Sequence, residues 1–237
     1  MIMFYGMYGL FYDPTFILVL IGLGLSVLAS SGVKRNFNKY SRVATMAGIT
    51  GAEAARRVLN AAGISDVSIE SVAGDLTDHY DPRSKVLRLS SSVYNSTSIA
   101  AVGVAAHECG HAIQHNRGYV PLNLRSAIVP VADIGSKLAW PIFFGGLIFS
   151  FQPLLIIGIV MFLAAVVFQL VTLPVEFNAS SRALKMLETT NLLYGEELTG
   201  AKKVLGAAAL TYVAALAASI LQLLRLVLLA GGGRRRD

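Results

Sequence analysis

Residues 138–175 read LAWPIFFGGLIFSFQPLLIIGIVMFLAAVVFQLVTLPV. These 38 residues carry no Asp, Glu, Lys or Arg. As helix they would extend about 57 Å, close to twice the thickness of a bilayer's hydrocarbon core. Gln152-Pro153 lies near the middle and supplies a turn. The stretch therefore predicts two membrane helices, roughly 135–151 and 154–173, joined by a very short hairpin. Two crossings return the chain to the side it left, so whatever precedes 135 and follows 173 shares one face of the membrane.

The composition agrees. The chain has 237 residues, 54% hydrophobic and 14% charged, with a mean hydropathy of +0.61. An ordinary soluble domain carries about 25% charged residues. The reading is an integral membrane protein, mainly α, with room for one modest water-facing domain. The net charge of +6 does not point to nucleic acid, because the basic residues are scattered or sit beside apolar runs. The single Cys109 excludes an intrachain disulfide and fits a reducing compartment.

Pro14 to Val33 is a further uncharged run of 20, followed at once by Lys34, Arg35, Lys39 and Arg42. A secretory signal carries its positive charge before the apolar run. The expectation is a retained anchor with its N-terminus outside and the following segment in the cytoplasm. Cleavage after Ala29 or Ser30 is the lesser alternative. Val204 to Leu224 is a last uncharged run of 21, trailed by Arg234-Arg235-Arg236. It either spans, with an awkward basic tail, or packs within the protein. That makes three to four transmembrane helices.

The polar region between the anchor and the hairpin holds the chemistry. Thr50-x-x-Glu53 is a capping-box signature, and Ala52, Ala55, Val58, Leu59 and Ala62 form an apolar stripe ended by Gly63. Val67, Ile69 and Val72 suggest a strand, and Lys85-Val86-Leu87-Arg88-Leu89 another, reached through the turn-like Asp81-Pro82-Arg83-Ser84. A helix over Ser98 to Gln114 follows, with Ser98 as N-cap and Gly118 as stop. That order lets a strand run beside the helix, where an extended peptide could pair with its edge.

The helix carries His107-Glu108-Cys109-Gly110-His111, an H-E-x-x-H. Positions i and i+4 share a helix face, so the two imidazoles can point at a common centre. Two neutral imidazoles suit Zn²⁺, and Glu108 lies beside them to deprotonate a water. The alternative is a pair of core histidines with an incidental acid. A zinc site needs a third protein ligand and one open position. Glu176, the first charge after the hairpin, is one candidate. Pro174 two residues earlier also reads as the start of a new helix, where Glu176 would simply favour the positive end of the dipole. His115 is a rival, but it stands about 12 Å from His107 along the axis, too far for one ion on a straight helix. His79 reads as structural, with lining of a substrate cleft as its alternative.

The anchor, Asp78-His79-Tyr80-Asp81-Pro82, Arg88-Leu89-Ser90, His107-Glu108-Cys109-Gly110-His111-Ala112-Ile113-Gln114 and Leu173-Pro174-Val175-Glu176-Phe177 together resemble the YugP-like membrane zinc metallopeptidases over nearly the whole chain. More distantly the chain is similar to the HtpX-type and CAAX-prenyl-type membrane proteases. The resemblance implies a gluzincin-like zinc protease core with a small β-sheet. It implies that Glu176 is the third ligand beside His107 and His111, and that Glu108 is the general base. It implies a peptide or protein substrate and the cell (inner) membrane, with turnover of membrane proteins as the role. Where the distant relatives carry an acid four positions after the ligand, this chain has Ser180; Asn178 stands where the nearer pattern has Asp, so support of the histidines is expected to be weaker. Arg182 or His79 would add an oxyanion contact. The implied organisation is an anchor at 1–33, a water-facing catalytic region at 34–134, the hairpin at 135–173, a ligand-bearing helical region at 174–203 and an apolar helix with a basic tail at 204–237. A zinc-stabilised scaffold without turnover is the competing function, and the oligomeric state stays open.

Overall fold

The computed structural model describes residues 13–232. The elements in order are α1 (Phe16–Tyr40), α2 (Gly51–Ala61), β1 (Ser68–Val72), β2 (His79–Asp81), β3 (Val86–Ser90), α3 (Ser91–Tyr94), α4 (Ile99–Asn116), α5 (Val120–Ile148), α6 (Gln152–Thr189) and α7 (Gly195–Gly232). The protein is mainly helical with one small sheet. Four of these helices, α1, α5, α6 and α7, are long and apolar enough to cross a membrane. The first residues of the expected anchor and the terminal arginines lie outside the described residues.

Contacts divide the chain into two compact units. One takes residues up to Leu28, Leu124–Thr172 and Tyr212 onward. Here small residues let helices close on one another. A Cβ on Gly158 would sit 2.8 Å from the Phe143 side chain, and one on Gly22 would sit 3.1 Å from Ala218. Ala139, Phe143, Leu155, Phe162, Val166, Leu226 and Ala230 form its core, with Trp140 against them. Arg225 Nη2 meets Asp13 Oδ2 at 2.9 Å, and Asp13 also caps the start of α1 by accepting from Thr15 N. Arg225, the one charge between Val204 and Gly232, is thereby neutralised.

The other unit, Ala29–Asn123 with Leu173–Thr211, holds the sheet and the motif. Its core runs from Val58 and Leu59 on α2 through Leu87 and Leu89 on β3 to Ala183 and Leu187 on α6. Thr50 caps α2 by accepting from Glu53 N at 3.2 Å, and Gly63 turns the chain at φ +75°. The buried face is Gly51, Ala54, Ala55, Val58 and Leu59, so Ala54 joins the stripe while Ala52 and Ala62 sit at its margin. Strand order is β1-β3-β2, with β1 parallel and β2 antiparallel to β3. The strand at His79–Asp81 is a third, beside the two that the sequence located by residue.

α4 is capped by Ser98 Oγ, which accepts from Ala101 N at 3.2 Å, and Gly118 ends it at φ +60°. It is buried almost all round and is the axis of this unit.

Pro174 departs from expectation. No new helix starts there; α6 continues through it from Gln152 to Thr189. Its missing N–H leaves the Leu170 carbonyl without its ladder donor, and separately the Val175 carbonyl accepts from Gln114 Nε2 at 2.8 Å. Glu176 is therefore a mid-helix carboxylate, not a helix N-terminal one.

Candidate metal centre

α4 and the second part of α6 position the site by close approach. A Cβ on Gly110 would stand 2.4 Å from the carbonyl oxygen of Ala179, so the third residue after His107 must lack one for α6 to lie this near. One turn back from Ala179, Glu176 faces α4 at 2% exposure. Its Oε2 is 3.3 Å from His107 Nε2 and 3.6 Å from His111 Nε2. The donor atoms of these three residues all lie within 4.8 Å of one another. Among the described residues this is the group of three or more His, Cys, Asp and Glu side chains arranged to hold a metal ion.

The imidazoles are oriented from behind. His107 Nδ1 meets Ser180 Oγ at 3.1 Å, and His111 Nδ1 meets Gln114 Oε1 at 3.1 Å. Gln114 is fully buried and donates its amide to the Val175 carbonyl and, at 3.0 Å, to Asn178 Oδ1. With its NH₂ so engaged, Gln114 can only accept from His111. That puts the His111 proton on Nδ1 and leaves the Nε2 lone pair facing the cluster. Asn178 also accepts from Arg182 Nε at 2.6 Å, and the Arg182 guanidinium lies over the Tyr119 ring. Neither Ser180 nor Asn178 stands idle where an acid was expected. Ser180 touches His107 directly, and Asn178 acts on His111 through Gln114.

The donor set fits zinc. With bonds of about 2.1 Å in tetrahedral array, neighbouring donors stand roughly 3.4 Å apart. Both nitrogen-to-carboxylate separations are close to that. In the metal-free site, burial acts most strongly on His111 and lowers its basicity. The Glu176 hydrogen bond, the Glu108 and Glu176 charges and the Gln114 bond together outweigh it, and its pKa rises above the ordinary 6.5. Cys109 is no ligand. Its thiol is buried against the Ala55 carbonyl and pushed well above its usual range by burial and by Glu108.

The other residues singled out in the sequence are not among the three donors. Glu108, 9% exposed, accepts from the backbone N–H of Tyr80 on β2 at 3.1 Å. His115 pairs with the Tyr80 phenol and is not in the donor cluster. His79, at the start of β2, is exposed and bonded to the Thr77 carbonyl just before the strand. Arg182 is committed to Asn178. Gln114 is the residue the sequence reading passed over. It stands three residues after His111, on the same face, and that spacing was the available signal.

Four membrane-length helices, together with two imidazoles and a carboxylate gathered on one point, define a membrane protein with a metal-donor cluster. The chain belongs to the family described as "Putative neutral zinc metallopeptidase", whose model matches residues 15–231. It is 50% identical over 217 residues to "Putative membrane protease YugP" of Bacillus subtilis (strain 168), covering 92% of this chain and 96% of that relative. No solved structure matches.

Proposed function

We propose that this protein is a membrane-embedded zinc-dependent endopeptidase with a gluzincin-type site. His107, His111 and Glu176 hold the metal, and Glu108 is the general base. The observation that carries the reading is the convergence of two imidazole Nε2 atoms on one buried carboxylate oxygen at 3.3 and 3.6 Å. Both family and relative are named as proteases, which supports hydrolysis of peptide bonds as the reaction.

Zinc bound there would lower the pKa of a water toward about 7 and polarise the scissile carbonyl. The remaining steps belong to the protein. Glu108 follows His107 by one residue, about 100° around the helix, so it stands off the line from the imidazoles to the metal but within reach of a water beside it. A Glu108 carboxylate oxygen takes the proton as water attacks, and returns it to the leaving amine. Ser180 and Gln114 hold the two imidazoles in register. β2 is an edge strand beside α4, and its Tyr80 N–H is already taken by Glu108, so an extended substrate pairing there would have to meet the strand's other outward groups.

The substrate is a peptide segment of a protein, and turnover of membrane proteins is the role that suits the setting. The basic cluster after the first span favours a cytoplasmic site in the cell (inner) membrane, with 34–134 and 174–203 in water and 135–173 and 204–224 in the bilayer. A structural zinc site would more often close with four protein donors, whereas this cluster has three among the described residues.

Comparing membrane proteomes of cells carrying the wild type or Glu108→Gln tests the reading. New protein termini dependent on Glu108 are expected. Identical termini in both strains would favour the scaffold.

A further inference from the structure

His115 repeats the four-residue spacing of the motif, yet the metal-donor cluster leaves it out. Glu108 and His115 are seven residues apart on α4, two turns and about 10 Å along one face. Tyr80, the middle residue of β2, reaches both. Its backbone N–H donates to Glu108 Oε2 at 3.1 Å, and its hydroxyl stands 2.9 Å from His115 Nδ1. The tyrosine thus lies lengthwise along the helix, with its backbone at one turn and its phenol two turns on. The two rings are tilted by 49° with centroids 5.8 Å apart, so the hydrogen bond rather than stacking links them.

The sheet explains why this amide is available. Tyr80 stands opposite Leu87 of β3. Along an antiparallel strand, successive residues alternate between bonding the partner and facing away. The Tyr80 N–H faces away, off the sheet's edge, and Glu108 takes it. Burial, with the Asp66 and Asp81 charges, pushes the Tyr80 phenol up to about 12. It keeps its proton at neutral pH and so can donate to Nδ1 of the His115 tautomer protonated on Nε2.

We propose that Tyr80 and His115 are positioning residues for Glu108: the phenol–imidazole bond pins the edge strand to the helix, and the Tyr80 amide then holds the Glu108 carboxylate in one rotamer beside the metal donors. The kinetic consequence rests on the general-base reading above. The clasp itself rests on geometry alone.

The test uses the purified full-length protein as wild type, Tyr80→Phe, His115→Ala, the double variant and His115→Asn. Asparagine Oδ1 sits as many bonds from the backbone as histidine Nδ1 and can accept from the phenol. Zinc content should be the same in all five. Against a quenched peptide library, kcat should fall about tenfold in either single removal, with KM within about twofold. The double variant should be no worse than either single, and His115→Asn should stay near wild type. Hydrogen exchange supplies a readout free of turnover. In protein labelled with ¹⁵N-tyrosine, the Tyr80 amide is assigned by its loss in Tyr80→Phe. It should be protected in wild type and His115→Asn and exchange about tenfold faster in His115→Ala. Additive kinetic losses, an effect on KM alone, loss of zinc in His115→Ala, or equal exchange in wild type and His115→Ala would each overturn the clasp. A His115-dependent Tyr80 amide in a wild type that cuts no peptide would support the clasp and overturn the peptidase reading instead.

Discussion

At the scale of single residues, metal binding turns on which nitrogen of each histidine carries its proton. Gln114 settles this for His111, because its NH₂ is spent on Val175 and Asn178. Removing such a partner from a metal-binding histidine typically costs about 10–100-fold in metal affinity. Gln114→Leu is expected to weaken zinc binding by about that factor while the helix persists, as read by competition with a chromophoric chelator. Unchanged affinity would mean that Gln114 only fills space. Protons compete for the same Nε2. The His111 pKa in the metal-free site lies above 6.5, so its charge favours the folded metal-free protein below the unfolded value, and that contribution is lost as pH rises through the folded value. Zinc runs the other way, because it needs the neutral ring. Zinc retention against a weak chelator is therefore expected to be full in mild alkali and to fall as pH drops, beginning above 6.5. Retention that is flat across that window would contradict the coupling of His111 to the two carboxylates.

At the scale of elements, the site depends on how closely α6 lies against α4. Gly110 permits it, since a Cβ there would meet the Ala179 carbonyl at 2.4 Å. That oxygen is backbone and cannot swing aside. Gly110→Ala should move α6 outward and carry Glu176 away from the histidines, cutting zinc affinity by at least about tenfold. Zinc content of the dialysed variant reads this directly, and wild-type content would show that the helices tolerate the methyl. Much at this scale was legible in the sequence. The Thr50 and Ser98 caps, the Gly63 and Gly118 stops and the i, i+4 histidines are local signals that packing had no reason to override. Two elements were not legible. Pro174 with Glu176 shortly after looks the same whether a helix begins or merely passes through, and only packing against α4 tells them apart. β2 has three residues, too few for an alternation to register, and exists because β3 offers it a partner. β3 itself is buried on both faces, so its alternation Lys85-Val86-Leu87-Arg88-Leu89 did not describe its surroundings.

At the scale of the whole molecule, the donor cluster is assembled from segments 69 residues apart in sequence, His107 and Glu176, with the long uncharged stretch between them. An even number of crossings in that stretch is a precondition for the cluster. With the basic residues after Val33, a cytoplasmic site is what the proposal above expects. The chain's one cysteine is buried, so engineered cysteines can be labelled against little background. Probes at Ser68 and Asn191 should resist an impermeant thiol reagent in intact cells and react once the membrane is opened. Labelling of Ser68→Cys from outside would invert the topology without disturbing the site's geometry.

The central claim, that Glu108 is a catalyst and not a ligand, has a direct measurement. Glu108→Gln keeps the side chain's size and one carbonyl oxygen, and removes the proton acceptor. General-base catalysis typically contributes about 10²–10⁴-fold. Purified in detergent beside the wild type, the variant should bind the same zinc and cleave casein or a quenched peptide library at least about a hundredfold more slowly. A zinc-loaded variant within about threefold of the wild-type rate would contradict the account, since an effect that small lies far below any general-base contribution.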